Sequence, residues 1–166
     1  MMQPESLSSS EFSKKLLSFR LGAEDIAGIP VEDITETFQI SLTQILPVPQ
    51  MPECILGIYN WRGEMLWMVN LENLLSFEGS SIAVNPLSKP MAMVIQADGK
   101  SLGLIVGNVI DIESVNSQQM KAPTAELFNP EVLPFLRGYF VREEEQVLMN
   151  LETKAIFQSS RLKART

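Results

Sequence analysis

Residues 57–71 read Gly57-Ile58-Tyr59-Asn60-Trp61-Arg62-Gly63-Glu64-Met65-Leu66-Trp67-Met68-Val69-Asn70-Leu71. An apolar strand runs into a polar, glycine-containing turn at 60–63 and returns as a second strand, the pattern of a β-hairpin. In positions 65–71 neither the odd nor the even residues are consistently polar. The returning strand therefore reads as covered on both faces, as in a small closed barrel or a sandwich core. Trp67 and Met68 are expected inside that core, where large apolar residues dominate folding energetics. Arg62 is the charge stranded at the tip. Trp61 beside it is an aromatic next to a turn, a kind of residue that anchors interfaces when exposed.

Working outward, a chain of 166 residues accommodates one domain, or two small lobes sharing one core. Its 45% hydrophobic and 20% charged residues make it too apolar for disorder and ordinary for a folded soluble protein. A formal net charge of -7 argues against nucleic acid as the main partner, because phosphate binding needs clustered Lys and Arg. No apolar run approaches the roughly 18 residues that span a bilayer, and the polar, Ser-rich residues 1–15 lack a signal-peptide core. The expectation is a cytoplasmic protein with no membrane insertion.

Histidine is absent and Cys54 is the only cysteine. That removes intrachain disulfides, Cys/His zinc sites, Ser-His-Asp and Cys-His nucleophilic machinery and any His phosphoacceptor. Cys54 reads as a small buried hydrophobe entering the hairpin. No catalytic residue, cofactor or metal is expected. Asp33, Glu36, Asp111 and Glu113 would matter as an acid pair only if folding brought them together.

The remaining chain supplies more short strands. Residues 16–21 form one, closed by Gly22, and residues 28–38 read as a second extended piece whose Pro30 places it at a sheet edge or starts the strand after it. Pro47, Pro49 and Pro52 stiffen the loop into the hairpin. Residues 72–77 suggest a short helical turn, and the small-residue loop at 80–89 is the best internal boundary. A second set of strands follows: 91–96 and 102–106 around the Asp98-Gly99 turn, and 136–141 with 146–151 around a Glu run.

The two halves resemble each other. Met68-Val69-Asn70-Leu71-Glu72 closes the first, and Leu148-Met149-Asn150-Leu151-Glu152 closes the second about 80 residues later, each after a Gly-led hairpin (Gly57, Gly138). Their beginnings match more loosely, Gly28-Ile29-Pro30-Val31 against Gly103-Leu104-Ile105-Val106. Five short strands per half are about what closes a small barrel, so the fold is read as two similar β-barrel lobes, about 16–80 and 91–157, with terminal segments free to cross between them. Residues 1–15 and 158–166 are read as tails. A groove between the lobes would suit a helix or strand of another protein.

With these residues in place, the chain resembles the CheW-like family of chemotaxis coupling proteins. The resemblance rests on Gly28-Ile29, Val31, Ile34, Glu36, Pro49, Pro52 and Gly57-Ile58-Tyr59-Asn60-Trp61-Arg62-Gly63, then Leu71, Gly103-Leu104-Ile105-Val106, Val109, Gly138 and Asn150-Leu151-Glu152. It runs from about residue 16 to 157. It implies an all-β fold of two SH3-like five-stranded barrels with short helical turns, and a non-enzymatic adaptor. The implied partners are the regulatory domain of a CheA-type histidine kinase, met by one lobe, and the cytoplasmic tip of a methyl-accepting chemoreceptor, received in the groove. The implied setting is cytoplasmic, recruited to membrane-associated receptor arrays serving chemotaxis, phototaxis or pilus motility. Carried over position by position, Ile34, Glu36 and Arg62, with Asn60 and Trp61 in the same turn, are the partner-binding residues, and Gly57 and Gly63 are backbone requirements of the hairpin. Trp61 stands where the family usually has a smaller aliphatic residue, and Asn70 where Asp is frequent.

Three further expectations can be tested against the fold. Arg62 and Glu36 could pair with each other across the barrel, Arg142 falls where Arg62 falls when counted back from the matching Asn and is a fair control substitution, and the basic residues 161–165 form a solvated end. The alternative function is an SH3-like binding or sensor module for a small molecule or peptide outside any receptor-kinase array.

Overall fold

The computed structural model of the chain describes residues 12–77 and 90–163. The expected tail up to residue 11, the loop at 80–89 and residues 164–166 lie outside them. Ten strands are present among the described residues: β1 (Ser13–Leu21), β2 (Asp25–Pro30), β3 (Ile34–Gln39), β4 (Ile55–Trp61), β5 (Glu64–Asn70), β6 (Met91–Ala97), β7 (Lys100–Val106), β8 (Val109–Asn116), β9 (Leu136–Val141) and β10 (Val147–Leu151). Two short helices, α1 (Leu71–Leu74) and α2 (Thr153–Phe157), follow β5 and β10.

Hydrogen bonding divides the strands into two five-stranded sheets, ordered β8-β1-β2-β10-β9 and β3-β6-β7-β5-β4. The division differs from the expected one at 16–80 and 91–157. One lobe is continuous in sequence, from β3 to β7, and is inserted between β2 and β8 of the other, the split lobe. Crossing of terminal segments is thus the rule here, and its cause is local. The piece at 28–38 is two strands, because Pro30 ends β2 and a 3-10 turn over Val31–Asp33 redirects the chain into the other lobe. The split-lobe strand β1 also begins earlier than residue 16, with Lys14 and Lys15 facing Val115 and Ser114.

The repeat nonetheless holds strand for strand. In the two sheet orders β8 matches β3, β1 matches β6, β2 matches β7, and the β9–β10 hairpin matches β4–β5. Both lobes contain one parallel pairing at the same place, β5 with β7 and β10 with β2. Asp98 and Gly99 carry the β6–β7 turn with φ of 51° and 76°, the paired left-handed residues of a two-residue hairpin.

Each sheet buries one face within its own lobe and part of the other against its neighbour. Ile40, Ile45, Trp61, Leu66, Met68, Ala92, Val94 and Ile105 fill the continuous lobe. Leu16, Ile26, Phe140 and Leu148 fill the split lobe. A larger core drawn from both lobes lies between them, including Phe19, Ile29, Val69, Met93, Leu104 and Leu151. Removal of this surface from water, at roughly 25 cal/mol per Å², is what makes the two lobes one folding unit.

This arrangement corrects the reading of the central hairpin. In β5, Leu66 and Met68 point into the lobe, while Met65 and Trp67 alternate outward and are 63% and 39% exposed. Only from Val69 onward does the shared core cover the second face. Trp67 is therefore a surface residue and Trp61, 8% exposed, is the core tryptophan.

Polar ties cross the lobe boundary. The Gly22 N–H of the β1–β2 turn donates to buried Glu72 Oε2 of α1 at 2.5 Å, and Thr153 Oγ1 of α2 donates to Asp33 Oδ2 at 2.8 Å. Arg161, expected on a solvated end, instead docks on α1. Its Nη1 donates to the Leu74 carbonyl at 2.8 Å, supplying a partner that the short helix leaves open at its C-terminal end.

Candidate functional site

Each sheet curls until its two edge strands approach, and side chains close the remaining seam. In the continuous lobe the edges are β3 and β4. Phe38 of β3 stacks on Tyr59 of β4 with ring centroids 5.6 Å apart and an interplanar angle of 28°. Beyond that stack, Glu36 Oε1 accepts two bonds at once, from Trp61 Nε1–H at 2.8 Å and from Arg62 Nη2 at 3.0 Å. The Arg62 guanidinium carbon also lies 5.0 Å from the centre of the Trp61 ring, within cation–π range. The expected pairing of Glu36 with Arg62 is present, with Trp61 as a third member.

The turn that carries Arg62 is built for tightness. Trp61 faces Glu64, leaving Arg62 and Gly63 as a two-residue loop with φ of 52° and 82°. Both are left-handed, as a type I′ hairpin requires. Asn60 Oδ1 accepts the Gly63 N–H at 3.0 Å and steadies the loop. Gly63 serves its positive φ. Gly57 answers a second demand as well: at φ 143°, a Cβ there would lie 2.1 Å from the Leu46 carbonyl oxygen. That carbonyl and the Leu46 N–H exchange hydrogen bonds with Ile58, covering the outer edge of β4.

Energetically Arg62 contributes little to the fold. A left-handed conformation costs a residue with a Cβ roughly 1–2 kcal/mol. Against it stand an ion pair whose side chains are 64% and 34% exposed, worth about 0–1 kcal/mol, and an exposed cation–π contact of about 0.5–1 kcal/mol. The balance is near zero. Glu36 and Trp61 are held more firmly, because a hydrogen bond to a charged group contributes about 1.5–3 kcal/mol.

Of the five residues read as partner-binding, Glu36, Asn60, Trp61 and Arg62 form this one cluster. Ile34 lies apart from it. A bulge between Ile34 and Glu36 in the pairing with β6 resets the alternation, and Ile34 packs against the shared core. Trp61 reaches the cluster with its indole edge while its body is in the lobe interior, so it is no exposed anchor.

The split lobe has an arginine-carboxylate pair at the equivalent seam, for which the repeat pointed to Arg142 but not to its partner Glu113. Arg142, just past β9, forms an ion pair with Glu113 of β8, the strand equivalent to β3, and also bonds Gln146 Oε1 at 2.5 Å. Gly138 matches Gly57, with a Cβ there 2.6 Å from the Lys121 carbonyl oxygen, and Lys121 bridges Tyr139 as Leu46 bridges Ile58. Arg142 is therefore not a neutral control for Arg62: it closes the other seam. A signal for Glu113 existed in the repeat but was hidden, because the β2–β3 connection (31–33) and the β7–β8 connection (107–108) differ in length. The four carboxylates considered as acids are engaged separately. Asp33 accepts from Thr153, Asp111 from the Ile112 N–H, Glu36 from Trp61 and Arg62, and Glu113 from Arg142. Among the described residues no three Cys, Asp or Glu groups are placed to hold a metal ion, and no helix is long and apolar enough to cross a membrane.

Two SH3-like β lobes on one core, each seam closed by an arginine-carboxylate pair, define a two-lobed β module. Comparison with known proteins agrees over nearly the whole chain. Residues 15–161 match the family model described as a CheW-like domain. The chain is 25% identical over 151 residues to the chemotaxis protein CheW of Rhizobium meliloti, covering 91% of this chain and 92% of that one. It is 21% identical over 152 residues to the chemotaxis protein CheW of Treponema pallidum, covering 89% and 84%. In structure it resembles the crystal structure of the scaffolding protein TtCheW from Thermoanaerobacter tengcongensis, with a TM-score of 0.75, 20% identity and coverage of 92% and 97%. The chain belongs to the CheW-like family, and the all-β, two-lobed fold expected from the sequence is the one observed.

Proposed function

We propose that this protein is a non-catalytic, cytoplasmic adaptor that couples a methyl-accepting chemoreceptor to a CheA-type histidine kinase, recruited by both to a membrane-associated array. Its continuous lobe meets the kinase's regulatory domain through the Arg62 turn with Glu36 and Asn60, and the groove between the lobes receives the receptor tip. Family membership supports the coupling role. The observation that carries the site is the backbone at Arg62: a φ of 52° on an arginine that is 64% exposed. Asn or Gly would fit that turn position with less strain, so the arginine is not there for the fold, and strain kept on an exposed charged residue points to function.

Arg62→Glu tests this reading. It reverses the charge beside Glu36 and is expected to abolish co-purification with a CheA-type kinase while leaving the thermal transition nearly unchanged. Wild-type co-purification by the folded variant would refute the contact.

A further inference from the structure

We propose that Trp61 is a positioning residue for the Arg62 contact, a role that rests on the partner site proposed above and adds to it. Glu36 Oε1 is shared between Trp61 Nε1–H at 2.8 Å and Arg62 Nη2 at 3.0 Å. The indole is buried, with its body packed in the continuous-lobe core, so its N–H is a fixed donor where the exposed guanidinium is a mobile one. Glu36 is thus held by the lobe interior and Arg62 by Glu36. The Trp61 ring, its centre 5.0 Å from the guanidinium carbon, favours this position of Arg62 through a cation–π contact. Among the described residues Arg62 has no other acceptor, which leaves the rest of its donor fork for an acidic group or carbonyl of a partner.

The device also lets the arginine change partners. If Arg62 turns to an incoming carboxylate, Glu36 keeps the indole N–H and is not left without a donor. The split lobe lacks this provision. Among the described residues Glu113 Oε2 is buried with no hydrogen-bond partner, and a release of Arg142 would take away the donor that Glu113 has among them. The same ion pair is therefore exchangeable in one lobe and fixed in the other, with the indole N–H of Trp61 as the difference.

The test is a double-mutant cycle between Trp61→Phe and Arg62→Ala, read as affinity for the regulatory domain of the kinase. Phenylalanine keeps an aromatic body in the core and a ring under Arg62 but has no N–H. Trp61→Phe is expected to weaken binding about tenfold, the loss of one hydrogen bond to a charged group. In the Arg62→Ala background it is expected to change affinity less than about twofold, because the two act as one unit. Equal losses in both backgrounds would show a merely structural tryptophan and overturn the positioning role while leaving the contact intact. Wild-type affinity for Arg62→Ala would overturn the contact and the positioning role together. Should Trp61→Phe fail to fold, the indole N–H resonance decides in the Trp67→Phe protein, where Trp61 is the only tryptophan. A shift on titration with the kinase domain supports the role, and an unmoved resonance in the bound state refutes it.

Discussion

The two seams are one solution executed at two depths. In the continuous lobe the Arg62–Glu36 side chains are 64% and 34% exposed, and in the split lobe the Arg142–Glu113 side chains are 25% and 18% exposed. An ion pair in water contributes little and exchanges readily, whereas one withdrawn from water is costly to break because each charge is left without compensation. The turns differ in the same sense. Arg62 sits inside a two-residue loop that displays it, while Arg142 precedes a longer turn over Glu143–Glu145 and is tied back to Gln146 by side chain and backbone. A repeated structural element is thus a withdrawn clasp in one lobe and a solvent-facing pair in the other. The matching asparagines diverge likewise: Asn70 Oδ1 caps α1 by accepting the Asn73 N–H, and Asn150 is buried beside Met120.

The comparison can be broken most forcefully at the glycines. Gly57→Ala puts a Cβ into the Leu46 carbonyl at a strained φ and is expected to cost about 4 kcal/mol. Gly138→Ala, with a looser approach and flexible Met120 nearby, is expected to cost about 2 kcal/mol. Denaturant midpoints for the two variants give the order, and equal costs would mean that the edges are closed alike. Arg142→Ala is expected to destabilise by about 2 kcal/mol, comparable to Gly138→Ala, with most of the loss recovered in the Glu113→Leu, Arg142→Met double variant. A neutral Arg142→Ala would erase the distinction between clasp and contact. Arg62→Asn should stay within about 1 kcal/mol of the wild type, since it sheds turn strain along with the ion pair, yet lose kinase binding in a pull-down.

The smallest effect asks whether the lobes report on each other. Cys54 sits at the entry to β4, buried, and its Sγ–H donates to the Arg161 carbonyl of the split lobe at 3.5 Å. Burial pushes its thiol up from the ordinary value, with the Arg161 charge pulling partly back. A raised thiol stays protonated and unreactive at pH 8. Alkylation of the native protein is expected to be slow, and Arg161→Ala to speed it by loosening the docked segment; unchanged labelling would show that Arg161 does not hold the lobes together there.

Much of this was legible in the chain. Hairpins announced themselves through the polar, glycine-containing stretch at 60–63 and through Asp98-Gly99, because few residues tolerate the positive φ of a tight turn; that Arg62 takes one of those positions came only from the structure. The repeat around Asn70 and Asn150 gave the pairing of lobes, and Arg62 stood out as a charge at an apolar tip. What misled was the run at 65–71. Apolarity there has two causes, a lobe interior for Leu66 and Met68 and a shared core for Val69 and Leu71, while Met65 and Trp67 belong to neither. Hydropathy records that a residue is apolar and not which surface, if any, will cover it.

The chain by itself therefore determined much of the local geometry, including the hairpins around 60–63 and Asp98-Gly99, and that no histidine or intrachain disulfide chemistry is available. Those properties depend on backbone sterics and side-chain identity within a few residues. Only the tertiary structure decided which lobe each strand joins, which tryptophan is inside, and that Glu36, Trp61 and Arg62 meet. Glu36 and Trp61 are 25 residues apart and come into contact across a seam set by sheet curvature and one bulge. Contacts of that kind follow from the packing of whole sheets, and no local pattern encodes them.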